Sequence, residues 1–584
     1  MGLAERKRRR RQKQIVLRIL FAATLFRLFL FWKIPVSYWT EQVYDDQLMY
    51  QLAVNLADFQ WLGKYSYVTL VKSISYPLFV AACHWIRIPY SIAIGILCIG
   101  SAVAFVKAIE RLVPSFIWRA AFYLLILYSP IGFKSLVTQR TYQMALVPYA
   151  VILVFACMIA LFLRRDEVKS LQRWGIGGAL CLPFFYYIRD DSIWIMPFVL
   201  TVTVVTLGCL WQKSRRITRE TVKKAVWVML PILSLGVVTL GICTVNYVHY
   251  KEFATSERTG SEFAGVMDRL YRIEDDASPD VWCSNDAIAK AIDASPALES
   301  IEEEILEQER NWSRGTNKDM KGDMPMWVMR SALNDAGYFK SSSKMRKFCG
   351  RVVEELDEAF EDGTLKEDGL LHLSSVQIQK EYIQNGKYRK DFRKYFTGVL
   401  YYEGGVSQIC KMGISTGKLP AIREWEDFYN SNTTYPAKFV GKAKEIKDSF
   451  SVIDYIVQFL VNIIHILFKI AGRLLGILAA AGFLYITAAL TCDRRHIEMW
   501  LCIAGMLLSS VLLVAVVVFF CSWFDAKMEH TVYMYLAGAY PLLQIAKYLT
   551  IYQSLRLLSQ RVLIDGLPER HFQERSLRDR LRRR

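Results

Sequence analysis

Apolar runs of about twenty residues recur along this chain and limit the folds open to it. Three clear examples are Ile15–Ile34, Val222–Val245 and Met499–Phe520. Each run is long enough to cross about 30 Å of hydrocarbon as a helix, at about 1.5 Å per residue. Only 22% of the 584 residues are charged and 53% are hydrophobic, which is more apolar than soluble domains usually are. The pattern excludes a soluble enzyme, a secreted disulfide scaffold and a disordered chain, and it predicts an α-helical polytopic membrane protein.

Basic residues are concentrated in four segments, and these set the predicted orientation. The segments are Met1–Lys13, Arg164–Trp174, Lys213–Lys224 and Arg556–Arg584, and together they carry the whole net charge of +18. Short loops rich in Lys and Arg stay in the cytoplasm because these residues resist translocation. We therefore expect both termini and the two loops on the cytoplasmic side. Anionic lipid headgroups account for such segments, so we expect the bilayer as a partner and no nucleic acid.

Placing those loops in the cytoplasm fixes the order of the predicted spans. Seven spans precede residue 248 and about three follow it. They lie near residues 15–34, 89–108, 116–132, 143–164, 172–188, 192–212, 222–247, 470–491, 498–522 and 531–551. The apolar run Tyr76–Ile86 is too short to cross, so we predict a re-entrant or interfacial helix within one large outer loop, residues 35–88. Residues 453–468 are amphipathic and are also predicted to lie at the interface.

Residues 248–450 differ in composition from the rest of the chain. They are polar and mixed in charge, and apolar residues recur at helical spacing in Ser300–Trp312 and Met345–Glu361. About 200 residues are enough for one folded domain. Because this region follows an outward span, we predict an extracytoplasmic, mainly α domain. The predicted parts are a basic N-terminus 1–14, a first transmembrane module 15–247, this domain, a second transmembrane region 451–555 and a basic tail 556–584.

The first candidate site is the pair Asp45 and Asp46, just after the first span. Two adjacent carboxylates near a bilayer are costly to desolvate unless they are paired or used. If their side chains converge, mutual repulsion raises one pKa and favours a role as general base. Alternatively, Asp45 caps the amphipathic run Leu48–Phe59, because acidic residues at a helix N-terminus complement its dipole.

Two isolated cations lie in predicted outer loops. Lys72 precedes the short apolar helix, where its ammonium suits a phosphate as a point charge. The alternative is a lysine that snorkels toward the headgroups. Arg140 lies in the loop 133–142 and suits either a diphosphate or a lipid headgroup.

The turn Tyr187–Ser192 places three charges between two apolar spans. Arg189 suits a phosphate or a carboxylate. Asp190 and Asp191 suit a sugar hydroxyl or a metal ion. The alternative is an interfacial turn in which the three charges pair with one another.

All of these candidates lie on the same predicted side of the membrane. Transporters more often keep ionisable groups near the middle of the bilayer, beside breaks in paired spans. A collection of acids and bases at one surface favours chemistry on a lipid-anchored molecule.

Two segments carry a resemblance to a known superfamily. Residues 44–79, YDDQLMYQLAVNLADFQWLGKYSYVTLVKSISYPLF, resemble the opening of GT-C glycosyltransferases, which include protein O-mannosyltransferases and lipid A aminoarabinose transferases. There an acidic pair follows the first span and a lysine precedes a short apolar helix. Residues 186–198, YYIRDDSIWIMPF, resemble an Arg-Glu-Asp-type turn in a related group of bacterial GT-C-like proteins. Residues 278–298 and 324–339 resemble the extracytoplasmic domain of that group.

The resemblance implies a GT-C-like seven-span module and an inverting glycosyltransferase. It implies a polyprenyl-phosphate-linked sugar as donor and a glycan, lipid or protein outside the cytoplasm as acceptor. It implies Asp45 or Asp46 as catalytic base. Lys72, Arg140 and Arg189 would neutralise the departing phosphate. Asp190 or Asp191 would orient the acceptor or hold a divalent ion such as Mg²⁺ or Mn²⁺.

Three other functions remain open at this point. The first is a polymerase or ligase that moves whole glycans, the second is a transporter or flippase of lipid-linked sugars, and the third is a non-catalytic scaffold. By the resemblance, the expected location is the plasma membrane of a bacterium, with the site outside.

Overall fold

A computed structural model describes most of the chain, and almost all of its regular structure is helical. It describes residues 3–216, 218–278, 280–316, 318–367, 372–373, 376–377, 380–402, 414–435 and 452–565. Within these residues the strands are one short antiparallel pair, β1 (His372–Leu373) and β2 (Val376–Gln377). Most of the predicted basic tail, residues 566–584, lies outside the described residues, as do several stretches of the predicted domain, the longest being 403–413 and 436–450.

Long helices dominate the first part of the chain, and two short ones lie in the predicted outer loop. These helices are α1 (Leu3–Lys33), α2 (Leu48–Ala57), α3 (Ser75–Trp85), α4 (Tyr90–Ala108), α5 (Phe116–Leu127), α6 (Val147–Leu163), α7 (Val168–Tyr186), α8 (Met196–Ser214) and α9 (Arg219–Tyr250). The short apolar helix expected at Tyr76–Ile86 is confirmed as α3.

The polar region consists mainly of short helices, and long helices return after it. The short helices are α10 (Glu262–Leu270), α11 (Asn285–Ala294), α12 (Pro296–Glu299), α13 (Glu302–Trp312), α14 (Met324–Asp335), α15 (Ser342–Glu361), α16 (Lys380–Gln384), α17 (Lys387–Tyr401) and α18 (Leu419–Tyr429). The last group is α19 (Val452–Cys492), α20 (Ile497–Phe520), α21 (Glu529–Tyr535) and α22 (Ala539–Asp565).

Seven helical stretches among the described residues are long and apolar enough to cross a membrane. They are Arg10–Lys33, Tyr90–Arg111, Phe116–Phe133, Asp190–Ser214, Arg219–Tyr250, Val452–Thr491 and Arg494–Trp523. The chain is therefore a multi-pass integral membrane protein, as the apolar runs predicted. Helix α6 is apolar but has only 17 residues.

The predicted spans near 143–164, 172–188 and 531–551 are not among these seven stretches. In the C-terminal half, the last of them falls on two helices, α21 and α22. The predicted interfacial segment 453–468 and the predicted span 470–491 form a single continuous helix, α19, of 41 residues. Its sequence has no proline to interrupt the helix. At about 1.5 Å per residue it is about 60 Å long, roughly twice the thickness of the hydrocarbon.

Close helix contacts hold the membrane part together. Helices α7 and α9 approach each other at Gly175, where a Cβ atom would lie 2.6 Å from the carbonyl oxygen of Trp227. Small residues permit such contacts between membrane helices. In α1 the fully buried Arg27 donates from Nε to the carbonyl of Leu127 (3.0 Å) and from Nη2 to that of Gly132 (2.8 Å). Arg27 thus ties α1 to the segment that leads to Arg140.

The polar region divides into two parts, where we predicted one domain over 248–450. Helices α10–α15 enclose a core of their own, in which Phe348, Val352 and Leu356 are buried as their helical spacing predicted. Helices α17 and α18 instead join the core of the membrane helices. The Tyr388 ring stacks on Phe519 at 4.1 Å, and Trp425 stacks on Tyr50 at 4.5 Å. These aromatic contacts across the boundary explain the difference, since composition alone does not reveal them.

Candidate active site

Two loops are joined side by side where the predicted site begins. Ser37 donates its backbone N–H to Gln139 (2.8 Å) and accepts from that of Thr141 (3.2 Å), so the segment after α1 runs parallel to the segment around Arg140. Each loop also contains a π-helical turn, Val43–Gln47 in one and Ser135–Gln139 in the other. Such turns are rare and frequently occur at functional sites.

The side chains of Asp46 and Arg140 form a buried ion pair between these loops. Arg140 donates from Nε to both carboxylate oxygens (2.9 and 3.1 Å) and from Nη2 to Oδ2, and the Asp46 side chain is 0% exposed. The guanidinium also stacks on the rings of Trp39 and Tyr142, at 4.4 and 4.3 Å. Burial raises the pKa of Asp46 from 3.8 to about 6, although the hydrogen bonds and charge of Arg140 act in the opposite direction.

Asp45 is partly exposed and has one engaged oxygen. Its Oδ1 accepts from Lys72 Nζ (2.7 Å) and from the Tyr142 hydroxyl (2.9 Å), and its side chain is 42% exposed. Within the part of the chain that the structure describes, Oδ2 accepts no hydrogen bond, and Arg140 Nη2 lies 3.9 Å from it. Burial would raise the pKa of Asp45, but the charges of Lys72 and Arg140 outweigh it and hold that pKa well below its usual range.

These contacts bear on two alternatives that the residues left open. No side-chain hydrogen bond caps the start of α2, but Asp45 lies in the first turn of the π-helical segment that continues into α2, where its charge complements the helix dipole. The Lys72 side chain is only 10% exposed and is directed at Asp45, so it does not snorkel.

The turn before α8 holds the remaining three predicted residues. Arg189 donates from Nε and Nη2 to the two oxygens of Asp191, each at 2.6 Å, which is the local pairing considered as an alternative. Asp190 instead accepts a hydrogen bond from Ser73, the neighbour of Lys72. Ser75 also donates its backbone N–H to the carbonyl of Tyr187 (2.9 Å). The turn is therefore attached to the loop that carries Lys72.

A small polar cavity lies between this loop, the turn and the end of α9. Its lining residues are Leu62, Lys72, Ser73, Ile74, Tyr187, Asp190, Ile242, Asn246 and Thr255. The buried Asn246 amide is held on both sides, since it accepts from Trp61 Nε1 (2.9 Å) and donates to the carbonyl of Ala254 (2.7 Å). The cavity thus has a fixed polar wall on the α9 side, with Lys72 and Asp190 among its other lining residues.

Four residues that we did not predict belong to the same place. Tyr142 and Ser73 could have been predicted, because they are close in sequence to Arg140 and Lys72. Tyr535 lies under the Arg189 guanidinium at 4.6 Å. Arg258 pairs with Asp323 (3.2 Å) from the polar region. No sequence pattern marks these last two, because only long-range packing brings them to the site.

The described residues do not form an evident metal centre. No group of three or more His, Cys, Asp or Glu side chains among them is placed to hold a metal ion. Asp45, Asp46 and Asp191 each pair with a cation already. The predicted divalent ion therefore has no ready set of ligands here.

Comparison of the chain with protein-family models, with curated proteins and with solved structures finds no match.

Proposed function

We propose that this protein is a membrane glycosyltransferase of the GT-C type, which moves a sugar from a polyprenyl-phosphate donor to an acceptor outside the cytoplasm. The observation that carries the proposal is the arrangement of Asp45, which has one oxygen held by Lys72 and Tyr142 and the other open. A carboxylate beside a cation suits the two demands of glycosyl transfer, namely a base for the acceptor and a positive charge for the leaving phosphate.

The proposed base is Asp45 and not Asp46. Asp46 is fully buried with both oxygens engaged by Arg140, so it acts by holding that arginine in place. Asp45 is partly exposed and ionised, and its Oδ2 accepts no hydrogen bond among the described residues. A weakly basic carboxylate is sufficient, because the acceptor hydroxyl becomes acidic only as its oxygen bonds to the sugar.

The proposed phosphate site is the polar cavity beside Lys72. Lys72, Ser73 and Asp190 line it, with the Ser73 hydroxyl donating to Asp190, and Arg189 lies in the adjoining turn. A phosphate there draws the ammonium away from Asp45 and adds a negative charge, and both effects raise the pKa of Asp45. Donor binding thus makes Asp45 a better base at the moment when one is needed.

The proposed reaction is a single displacement. The acceptor oxygen forms a bond to the anomeric carbon from the face opposite the phosphate, and the bond from that carbon to the phosphate oxygen breaks. The hydroxyl proton goes to Asp45, and the electron pair leaves with the lipid phosphate, whose charge Lys72 and Arg189 balance. The configuration at the anomeric carbon is inverted.

The proposed topology follows the basic loops. It has a seven-span GT-C-like module followed by three spans, both termini in the cytoplasm, and the site on the outer face of a bacterial plasma membrane. Nucleotide sugars are not supplied on that face, which suits a donor carried by a lipid.

The test is a transfer assay with the purified protein in lipid vesicles. A polyprenyl-phosphate sugar labelled in the sugar is supplied with candidate glycan, lipid and protein acceptors, and thin-layer chromatography follows the label. We expect the label to leave the lipid and appear in a new glycosidic bond. Movement of intact labelled lipid between leaflets without a new bond would instead identify a transporter.

A further inference from the structure

Helix α14 of the polar region contacts both loops of the site with one face. Trp327 and Arg330 are three residues apart and therefore lie on the same side of the helix, and Asp323 lies one turn earlier on that side. Asp323 pairs with Arg258, as described above. The other two residues contact the segments that carry Lys72 and Asp45.

Arg330 holds the backbone of the loop that precedes Lys72. Its side chain is 0% exposed and donates from Nε to the carbonyl of Tyr67 and from Nη2 to that of Thr69 (3.2 Å). Its charge is balanced by Glu257, 2.9 Å away. The buried guanidinium therefore makes directional hydrogen bonds to the two carbonyls and a charge interaction with Glu257, whose Oε2 accepts no hydrogen bond among the described residues.

Glu257 holds the same loop at two more points. It accepts from the Tyr65 hydroxyl (2.6 Å), and its backbone N–H donates to the carbonyl of Leu70 (2.9 Å). Leu70 has a left-handed backbone with φ of 57°, which is unfavourable for a branched side chain. The contacts of this loop with Arg330 and Glu257 support that conformation, and Lys72, which donates to Asp45, lies two residues later.

Trp327 holds the other loop. Its ring lies 4.4 Å from that of Tyr44, which immediately precedes Asp45, and the Trp312 ring lies 5.3 Å from Tyr44. The Tyr44 ring is therefore fixed between two indoles of the polar region. Rigid aromatic contacts of this kind orient the backbone to which they are attached.

We propose that α14 is a positioning helix, with Arg330 setting the place of Lys72 and Trp327 setting the place of Asp45. The chemical roles of Lys72 and Asp45 rest on the proposed function. The positioning role of α14 does not, so an experiment can contradict either proposal without contradicting the other.

The direct test is hydrogen exchange of the full-length protein in lipid nanodiscs, followed by mass spectrometry. In Arg330→Met we expect the amides of residues 64–73 to exchange at least tenfold faster than in wild type. The matched control is Arg269→Met, which removes a partly exposed ion pair to Asp357 (2.9 Å) between α10 and α15 of the same region, with no hydrogen bond to the loop. Equal protection of residues 64–73 in the two variants would overturn the proposal.

A milder variant guards against a failure of Arg330→Met to fold. Tyr65→Phe removes one hydroxyl and keeps the ring, so the fold is retained. We expect faster exchange confined to residues 64–73 in Tyr65→Phe. Unchanged exchange in residues 64–73 would contradict the role of Glu257 in holding this loop.

Transfer kinetics supply a second readout that simple loss of stability does not reproduce. Arg330→Met should raise the donor KM at least tenfold with a smaller effect on kcat. Trp327→Ala should lower kcat at least tenfold, and Trp327→Phe should restore most of it. Parallel losses in Arg269→Met would contradict positioning. If the wild-type protein forms no glycosidic bond, the proposed function fails while the exchange experiment still decides the role of α14.

Discussion

The two parts of the site are built in different ways. In the first outer loop the charge pairs join distant segments, since Lys72 and Asp45 are 27 residues apart and Arg140 and Asp46 are 94 apart. In the turn before α8, Arg189 pairs with Asp191 only two residues away, and the Asp191 side chain is 38% exposed. The first arrangement exists only when the protein is folded, whereas the second forms locally.

The burial of each ion pair indicates which groups are held in place and which can exchange partners. Removing one member of a buried ion pair leaves an uncompensated charge and costs about 3–5 kcal/mol, whereas an exposed pair contributes about 0–1 kcal/mol. The buried pair of Arg140 and Asp46 is therefore the framework of the site. Asp45, whose side chain is 42% exposed, is no more buried than Asp191, so its pair with Lys72 can also open when a ligand binds. The Arg189 pair can open for a ligand with little loss of stability.

The largest effect is expected for the base. Asp45→Asn removes the proton acceptor while the Tyr142 and Lys72 hydrogen bonds are retained by the amide oxygen, so kcat should fall by about 10²–10⁴-fold. The measurement is the initial rate of sugar transfer from labelled donor. Asp58→Asn is the matched control, because Asp58 is an exposed residue of the same outer loop. Full activity in Asp45→Asn would remove the base assignment.

The next largest effect is expected for the leaving-group cation. Lys72→Met keeps the length of the side chain but removes the charge, so kcat/KM for the donor should fall by about 10²-fold. The exposed Lys64 of the same loop provides the control variant Lys64→Met, which should transfer at the wild-type rate. Similar kinetics in both variants would show that Lys72 does not meet the phosphate.

The framework pair is expected to affect stability more than chemistry. Asp46→Leu leaves the buried Arg140 guanidinium without its counterion and without its hydrogen-bond acceptors, so the free energy of unfolding should fall by about 3 kcal/mol. Asp191→Asn should change it by less than about 1 kcal/mol. Thermal unfolding of the two variants in the same detergent makes this comparison. Equal losses would contradict the distinction between framework and exchangeable pairs.

A smaller effect on activity is expected at the turn. Asp191→Asn frees Arg189 from its local partner without removing the cation, so the donor KM should change by less than about tenfold. Arg189→Gln removes the cation itself and should raise the donor KM further than Asp191→Asn does. The reverse order would show that Asp191, and not Arg189, contacts the substrate.

The smallest expected effect is a dependence on pH. Because the pKa of Asp46 is raised to about 6, this group is ionised and paired with Arg140 above pH 6, and it is protonated below. Transfer rates should therefore fall to half of their maximum as the pH decreases to about 6. The rates of Asp46→Asn should show no such decrease. The contribution of Asp46 to the free energy of unfolding depends on pH in the opposite direction to the transfer rate. The folded state binds this proton more tightly than the unfolded chain does, so the contribution falls as pH rises from about 4 to about 6.

Local patterns in the sequence were sufficient for much of this architecture. Apolar length revealed the membrane helices, and helical spacing revealed α13 and α15. Loop charges placed Asp45, Lys72 and Arg140 on one side, and the structure joins these three in one network.

The remaining features depend on contacts between segments far apart in sequence. Arg330 is 263 residues from the Tyr67 carbonyl that it binds, and no periodicity encodes that distance. The sequence also does not indicate that Asp46 is buried while its neighbour Asp45 is partly exposed. The continuity of α19 was missed because the amphipathic pattern of its first half is also typical of an interfacial helix.

A structure of the protein with a polyprenyl-phosphate sugar bound would test most directly whether Asp45 and Lys72 form the site of sugar transfer. We expect the donor phosphate in the cavity beside Lys72, within hydrogen-bonding distance of its ammonium, with the anomeric carbon facing Asp45 Oδ2. A headgroup bound near the middle of the bilayer, or at the opposite ends of the helices, would contradict it.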